Sequence, residues 1–389
     1  MKPIYLDYNA TTPVHPDVAQ AMQPFLAQFF GNPSSSHIFG REVRSAIKKA
    51  RGQVAALLNC EPSEIVFTSG GSESNNTAIK GAAFANVEKR KHVITSSVEH
   101  PATIQVCKFL EKLGWKVTYL PVDRFGVVAP EDVTRAITPE TVIVSVMHAN
   151  NEVGSIQPIR DISHICRKNG VLLHTDAAQS AGKITCDVQE LGVDFLSLAG
   201  HKLYASKGVG ALYCRKGVKF EPLIHGAGHE NGRRAGTENA LQIVGLGKAC
   251  DLASKKLQAG GAEHLKNMRD RLHEGLEESI ADVRLNGHPE NRLPNTLSLG
   301  FRNVRSTDLL METGEQVAVS AGSACDADAI ELSAALKAMK TPIDYGMGTI
   351  RFSTGQFTTA EEVDAIVKIF AKAVAKLRKN GDSSRRNSV

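Results

Sequence analysis

Seven short apolar runs, each followed by a longer amphipathic stretch or a turn, constrain this chain more than any other feature. They are Glu64–Thr68, His92–Ser96, Val117–Pro121, Val142–Met147, Val171–Thr175, Phe195–Ala199 and Gly210–Cys214. Their Val, Ile, Leu and Phe residues do not alternate with polar ones, so both faces of each strand must be covered. Helical patterns at Ser72–Asn86, Pro101–Leu113, Pro130–Ile137 and Ile159–Lys168 supply the cover. Strand–helix alternation of this kind predicts a mostly parallel α/β sheet.

The pattern changes after about Ala253. Helical stretches at Glu238–Leu257 and Gly261–Ile280 precede strand candidates at Val283–Asn286, Asn295–Phe301, Val317–Ser320 and Thr349–Ser353, with helix candidates at Ile330–Met339 and Ala360–Lys379. Fewer strands with helices at one end predict a smaller α+β domain. A chain of 389 residues suits such a division. The expected organisation is a segment 1–15 joining the small domain, a large domain over 16–257, a small domain over 258–378, and a polar, disordered tail over 379–389.

Composition narrows the function classes. The net charge of +5 is interspersed, with no long basic run, which argues against nucleic acid as a partner. No apolar run reaches the ~20 residues of a membrane helix. The chain holds seven cysteines, none in C-x-x-C spacing, so a disulfide framework or a structural zinc site is not expected and no metal is assigned. Nothing resembling a signal or transit segment precedes Ile4, and the expectation is a cytoplasmic protein, with an organelle left open because a trimmed leader would look the same.

Three strand ends carry chemistry. At Phe67–Asn76 a strand gives way to Gly70-Gly71 and then to a helix beginning at Ser72. Glycine allows close backbone approach, and a helix N-terminus offers free N–H groups to a phosphate. An ordinary helix cap would read the same. Asp176 ends a strand at the place where open sheets put ligands. A carboxylate there can pair with a protonated ring nitrogen, or be a plain turn residue. Lys202, in Ala199-Gly200-His201-Lys202, also follows a strand, where a covered amine can form a Schiff base with an aldehyde. A solvated lysine is the commoner case, and Lys207 is a local rival. Together the three meet the demands of pyridoxal phosphate: a lysine, an acid and a phosphate cup.

At this point the sequence resembles the NifS/IscS-type cysteine desulfurases, within the class V aminotransferase fold of pyridoxal-phosphate enzymes. The matching segments include YLDYNATTPVHP from Tyr5, FGNPSSSH at Phe30–His37, FTSGGSESNN at Phe67–Asn76 and SVEHPA at Ser97–Ala102. HANNEVGSIQ at His148–Gln157, HTDAAQS at His174–Ser180, AGHKLYASKGVGALY at Ala199–Tyr213 and RAGTEN at Arg234–Asn239 follow. SAGSAC at Ser320–Cys325 and IRFSTGQFTT at Ile350–Thr359 complete the set. The resemblance implies the aspartate-aminotransferase-like fold, type I among these enzymes, with a seven-stranded sheet in the large domain.

It also implies roles. Lys202 would bind the cofactor's aldehyde and later move the Cα proton, Asp176 would hold the ring nitrogen, and His100 would stack on the ring. Asn151 and Gln179 would bond its phenolic oxygen. Gly71, Ser72 and His201 would bind the phosphate, with Thr237 arriving from a second subunit of a homodimer. Arg351 would grip the carboxylate of L-cysteine, assisted by Asn32. Cys325 would take the sulfur as a persulfide for an acceptor such as an iron–sulfur scaffold or a thiolation enzyme. Two neighbours, Asp326 and Asp328, would raise that thiol's pKa. Two departures stand out: Ala199 replaces the family's usual serine, and Ala205-Ser206 replaces its usual Gly-Pro. A selenocysteine lyase acting on L-selenocysteine resembles the chain too, and transamination, β-elimination and an inactive scaffold are the other readings weighed.

Overall fold

The computed structural model describes residues 3–88, 90–326 and 329–386, and the backbone alone of the described residues within 323–330 and 381–386. Its centre is a seven-stranded sheet in the order Ile65–Thr68, Gly210–Cys214, Phe195–Ala199, Leu172–Asp176, Thr141–Ser145, His92–Ser96, Lys116–Leu120. All pairings are parallel except those of Gly210–Cys214, which runs antiparallel to both neighbours. Each predicted strand is present to within a residue or two. The six strands from Ile65–Thr68 to His92–Ser96 along this order, Leu172 apart, are buried residue by residue. One apolar cluster, including Ile94, Val144, Leu173 and Leu196, packs under the helix Ile38–Leu58. The other, including Val93, Ile143, Phe195 and Leu212, packs under Gly71–Phe84 and Pro101–Lys112. The apolar runs lack alternation because both faces meet helices.

A second sheet of four antiparallel strands runs Ser320–Ala321, Thr349–Ser353, Thr296–Phe301, Val283–Asn286. Its core joins Leu272, Leu299, Phe352 and Phe370 with Leu6 from the N-terminal segment. That segment pairs in parallel with the second body, Ile4 on Val317 and Tyr5 on Ala318. Between the bodies the helices Ala240–Gln258 and Ala262–Ser279 break at 259–261.

Three local expectations change. The single strand expected over Val317–Ser320 is two short ones, because Val317–Ala318 turns to the N-terminus while Ser320–Ala321 turns to Thr349–Ser353. The helix expected over Ile330–Met339 starts only at Ala334. Ala329–Leu332 is instead a strand paired with Ser323–Asp326, and the Ser333 side chain caps the helix that follows. Of the tail expected to be disordered over 379–389, the described residues 379–386 continue the helix Ala360–Arg386. Extending an existing helix fixes one residue per added bond, and Gly381 costs only about 1 kcal/mol against that.

Candidate active site

The C-terminal ends of the parallel strands open into a cavity of about 330 Å³. Its lining includes Gly71, Ser72, His100, Asn151, Asp176, Gln179, His201 and Lys202, eight residues singled out from the sequence. They come from five separate chain segments. Strand ends and the loops beyond them meet there because the strands run parallel and side by side.

The phosphate-cup candidate lies where Ile65–Thr68 passes into the helix Gly71–Phe84. Gly70 has φ +154° and ψ −178°, a conformation open essentially to glycine alone. This turn aims the first N–H groups of the helix, which have no acceptor within it, at the cavity. A side chain at Gly71 would bring its Cβ within 3.3 Å of the Ala199 Cβ. The close approach is what leaves the backbone bare. Glu73 in the first turn is turned aside by Arg234, whose Nε donates to it at 2.9 Å.

Asp176 is buried at the end of its strand. One carboxylate oxygen accepts from Asn75 Nδ2 at 2.6 Å and the other from the Ala178 amide at 2.9 Å. Asn75, fully buried, was not foreseen. Its place one turn beyond Ser72 on the same helix was the available signal. His100 caps the helix Pro101–Lys112, its Nδ1 accepting from the Ala102 amide at 3.1 Å. This leaves Nε2 as the protonated nitrogen of the neutral ring. Its pKa is lowered, chiefly by the surrounding protein and with Lys202 adding to the effect against the opposing pull of Asp176.

Lys202 follows the strand Phe195–Ala199 in a single 3-10 turn. Its Nζ donates to the backbone carbonyls of Asn9 and Ala10, the latter at 2.7 Å. Burial and the Arg351 charge push its pKa down to about 8, against Asp7 and Asp176. A neutral amine is therefore accessible near neutrality. His201 is pushed down to about 4, first by burial and then by Lys202, Lys207 and Lys183, so its ring offers a dipole and no charge at neutral pH.

Arg351 sits beside the cavity, joined to it through Asn151. Its Nη1 donates to the Asn151 carbonyl at 3.1 Å, and its Nη2 donates to Asp7 at 2.8 Å and to Ser320 Oγ at 2.9 Å. Its Nε is buried with no partner among the described residues. Asn32 and Thr237 are exposed and do not line the cavity. The backbone of Cys325 lies in the strand Ser323–Asp326, with Ile330 as its register partner. The Cys325 side chain lies outside the described residues.

Asn9, also unforeseen, is 1% exposed and ties the two bodies together. Its Nδ2 donates to Thr296 Oγ1 at 2.9 Å and to the Asn151 carbonyl, while its own carbonyl accepts from Gln179 and Lys202. No local pattern marks such a residue, since its partners are remote in sequence.

A covered amine at a strand end, an acid on the facing strand and a bare helix N-terminus around one cavity are the parts list of a pyridoxal-phosphate enzyme of the α/β class. The aminotransferase class-V family model matches residues 4–366, and the chain belongs to that family. Cysteine desulfurases are among its relatives. It is 49% identical over 376 residues to cysteine desulfurase IscS of Dictyoglomus turgidum, covering 96% of this chain and 95% of that one. It is 46% identical over 378 residues to cysteine desulfurase IscS of Methanosarcina thermophila, covering 97% and 93%. A solved NifS-like protein superposes with a TM-score of 0.90 at 38% identity, over 96% of this chain and 100% of that chain. A solved structure described as SspA in complex with cysteine gives 0.80 at 38% identity, over 92% and 100%. No described helix is long and apolar enough to cross a membrane.

Proposed function

We propose that this chain is a pyridoxal-phosphate-dependent cysteine desulfurase that moves the sulfur of L-cysteine onto Cys325. The observation that carries the cofactor is the convergence of Lys202, Asp176 and the Gly71–Ser72 helix start on one cavity. The residues fit the group: the bare N-terminus would take the phosphate, the buried carboxylate of Asp176 would pair with the ring nitrogen, and the Lys202 amine can be neutral near pH 8. Pyridoxal phosphate, when bound, supplies an aldehyde that captures the substrate amino group and a ring that withdraws electrons from the adjacent carbon.

The chain's own groups do the rest. Asp176, held by Asn75 and the Ala178 amide, would keep a proton at the ring nitrogen. Lys202 would hold the cofactor's aldehyde and would move the Cα proton. His100 would cover the ring, and Asn151 and Gln179 would stand at the phenolic side. Gly71, Ser72 and His201 would hold the phosphate, and Thr237 of a second copy would complete the cup in a homodimer. Arg351, steadied by Asp7 and Ser320, receives the substrate carboxylate, with Asn32 assisting.

The Cys325 thiolate attacks the substrate sulfur. An S–S bond forms, the substrate Cβ–S bond breaks, and its electron pair stays with carbon, which takes up a proton. L-Cysteine plus the thiol becomes L-alanine plus a persulfide, with no external oxidant. The other six cysteines support this assignment: each is pushed up to about 12, chiefly by burial. Thiolate is the nucleophile, so these six are inert at neutral pH. The persulfide would serve a sulfur acceptor such as an iron–sulfur scaffold or a thiolation enzyme, in the cytoplasm.

Mass spectrometry after turnover with cysteine tests the reading. The expected result is one added sulfur atom on the peptide carrying Cys325, and none with Cys325→Ala. Pyruvate and free sulfide in place of alanine would assign elimination instead.

A further inference from the structure

A second lysine stands behind the cavity. Lys183 is only 7% exposed, far below the usual solvation of a lysine. It reaches this place because Gly182 turns the chain at φ +74°, where a Cβ would strike Leu203 Cδ2 at 2.3 Å. Lys183 Nζ donates to Gln179 Oε1 at 3.1 Å and to Asn9 Oδ1 at 3.4 Å. Gln179 Nε2 donates to the Asn9 carbonyl at 2.9 Å.

These bonds fix which way the Gln179 amide lies. With Lys183 donating to its oxygen and one Nε2 hydrogen on the Asn9 carbonyl, the remaining Nε2 hydrogen is the donor left for the cavity that Gln179 lines. A flipped amide would set its NH₂ against the lysine's N–H donors and its oxygen against a carbonyl. We propose that Lys183 is a positioning residue for the cofactor: it clamps Gln179 so that a donor, never an acceptor, meets the phenolic oxygen of pyridoxal phosphate. The proposal rests on the cofactor reading above.

The clamp does not need a charged lysine. Burial, then Lys202 and Arg351, push the Lys183 amine down to about 7. A neutral amine keeps two N–H groups, one for each acceptor, and gains a lone pair, so in that state the Asn9 carbonyl is what opposes the flipped amide. The charged groups facing it from neighbouring elements are Lys202, at the end of Phe195–Ala199, and Arg351, on Thr349–Ser353; His201 stands near as well. In the charged form the third N–H can face the narrow cavity of about 40 Å³ that Lys183 shares with Lys202, Tyr8 and Tyr204, room enough for water.

A donor on the phenolic oxygen stabilises its negative charge and weakens its hold on the proton of the lysine–cofactor linkage. Removing the donor therefore raises the pH at which the visible band of the bound cofactor changes. The experiment measures that midpoint and the equilibrium retention of pyridoxal phosphate, without substrate. Lys183→Met should raise the midpoint by about one pH unit, the scale of one hydrogen bond to a charged group, and should loosen retention. In a Gln179→Ala background the same change should add nothing, because Lys183 acts through that amide. Gln179→Glu, with Lys183 intact, replaces the donor by an acceptor and should also raise the midpoint; it serves if Lys183→Met does not fold. An unmoved or lowered midpoint in either variant, or a full Lys183→Met shift without Gln179, overturns the clamp. A wild-type chain that never binds pyridoxal phosphate would instead overturn the cofactor reading.

Discussion

Ala199→Ser should tighten the hold on the cofactor's phosphate. Ala199 ends the strand Phe195–Ala199, is 4% exposed and lines the cavity beside the helix start. A Cβ built on Gly71 lies 3.3 Å from the Ala199 Cβ, so a hydroxyl added at 199 sits at the same wall as the bare amides. The donors already there are neutral: His201 is pushed down to about 4 and carries no proton charge at pH 7. The new hydroxyl would donate to a dianion, and a hydrogen bond to a charged group contributes about 1.5 kcal/mol at the lower end of its range. That corresponds to about tenfold tighter binding. The cavity of about 330 Å³ has room for one more oxygen, so no packing strain offsets the gain. The assay is titration of cofactor-free protein with pyridoxal phosphate, alongside pyridoxal as a control lacking the phosphate. An unchanged or weaker affinity for the phosphate form, or an equal gain for pyridoxal, would refute the reasoning.

Three further outcomes follow from the geometry. Cofactor-free protein should capture pyridoxal phosphate with a rate that rises with pH and levels off above about 8, since the free amine of Lys202 is the reactive form; a rise continuing to the ordinary lysine range would show an unperturbed amine. Glu230→Gln should cost about 3 kcal/mol in denaturant unfolding, the scale for breaking a buried ion pair, because the 2%-exposed carboxylate accepts both ends of Arg51, at 2.7 and 2.5 Å, and the Phe67 amide. A loss below about 1 kcal/mol would place the pair among ordinary surface bridges. Arg351→Lys should raise KM for cysteine more than it lowers kcat, since a single ammonium cannot replace a fork already shared with Asp7, Ser320 and Asn151; an unchanged KM would move the carboxylate site elsewhere.

The main sheet was legible because each of its strands declares itself locally. A strand covered on both faces must be apolar at every position, and Phe195–Ala199 or Thr141–Ser145 carries that mark without reference to any partner. The Gly70-Gly71-Ser72 turn, Asp176 and Lys202 were legible for a related reason: each stands at the end of such a strand. The helix wrongly expected over Ile330–Met339 shows the limit. Ala329–Leu332 is a strand only because Ser323–Asp326 lies beside it. Within the polar tail, residues 379–386 are described as a continuation of the helix already begun at Ala360, which their composition does not announce.

The sequence by itself determined a covered parallel sheet and the residue types that meet at its edge. Their pattern follows from burial and from backbone geometry, which act within a few residues. Only the tertiary structure decided that Asn9 ties the lysine to the second body, that Asn75 braces Asp176, that Asp7 steadies Arg351, and that Lys183 faces Gln179. Hydrogen bonds between side chains remote in sequence leave no periodic trace, and a buried amide or amine is told from an exposed one only by what packs around it.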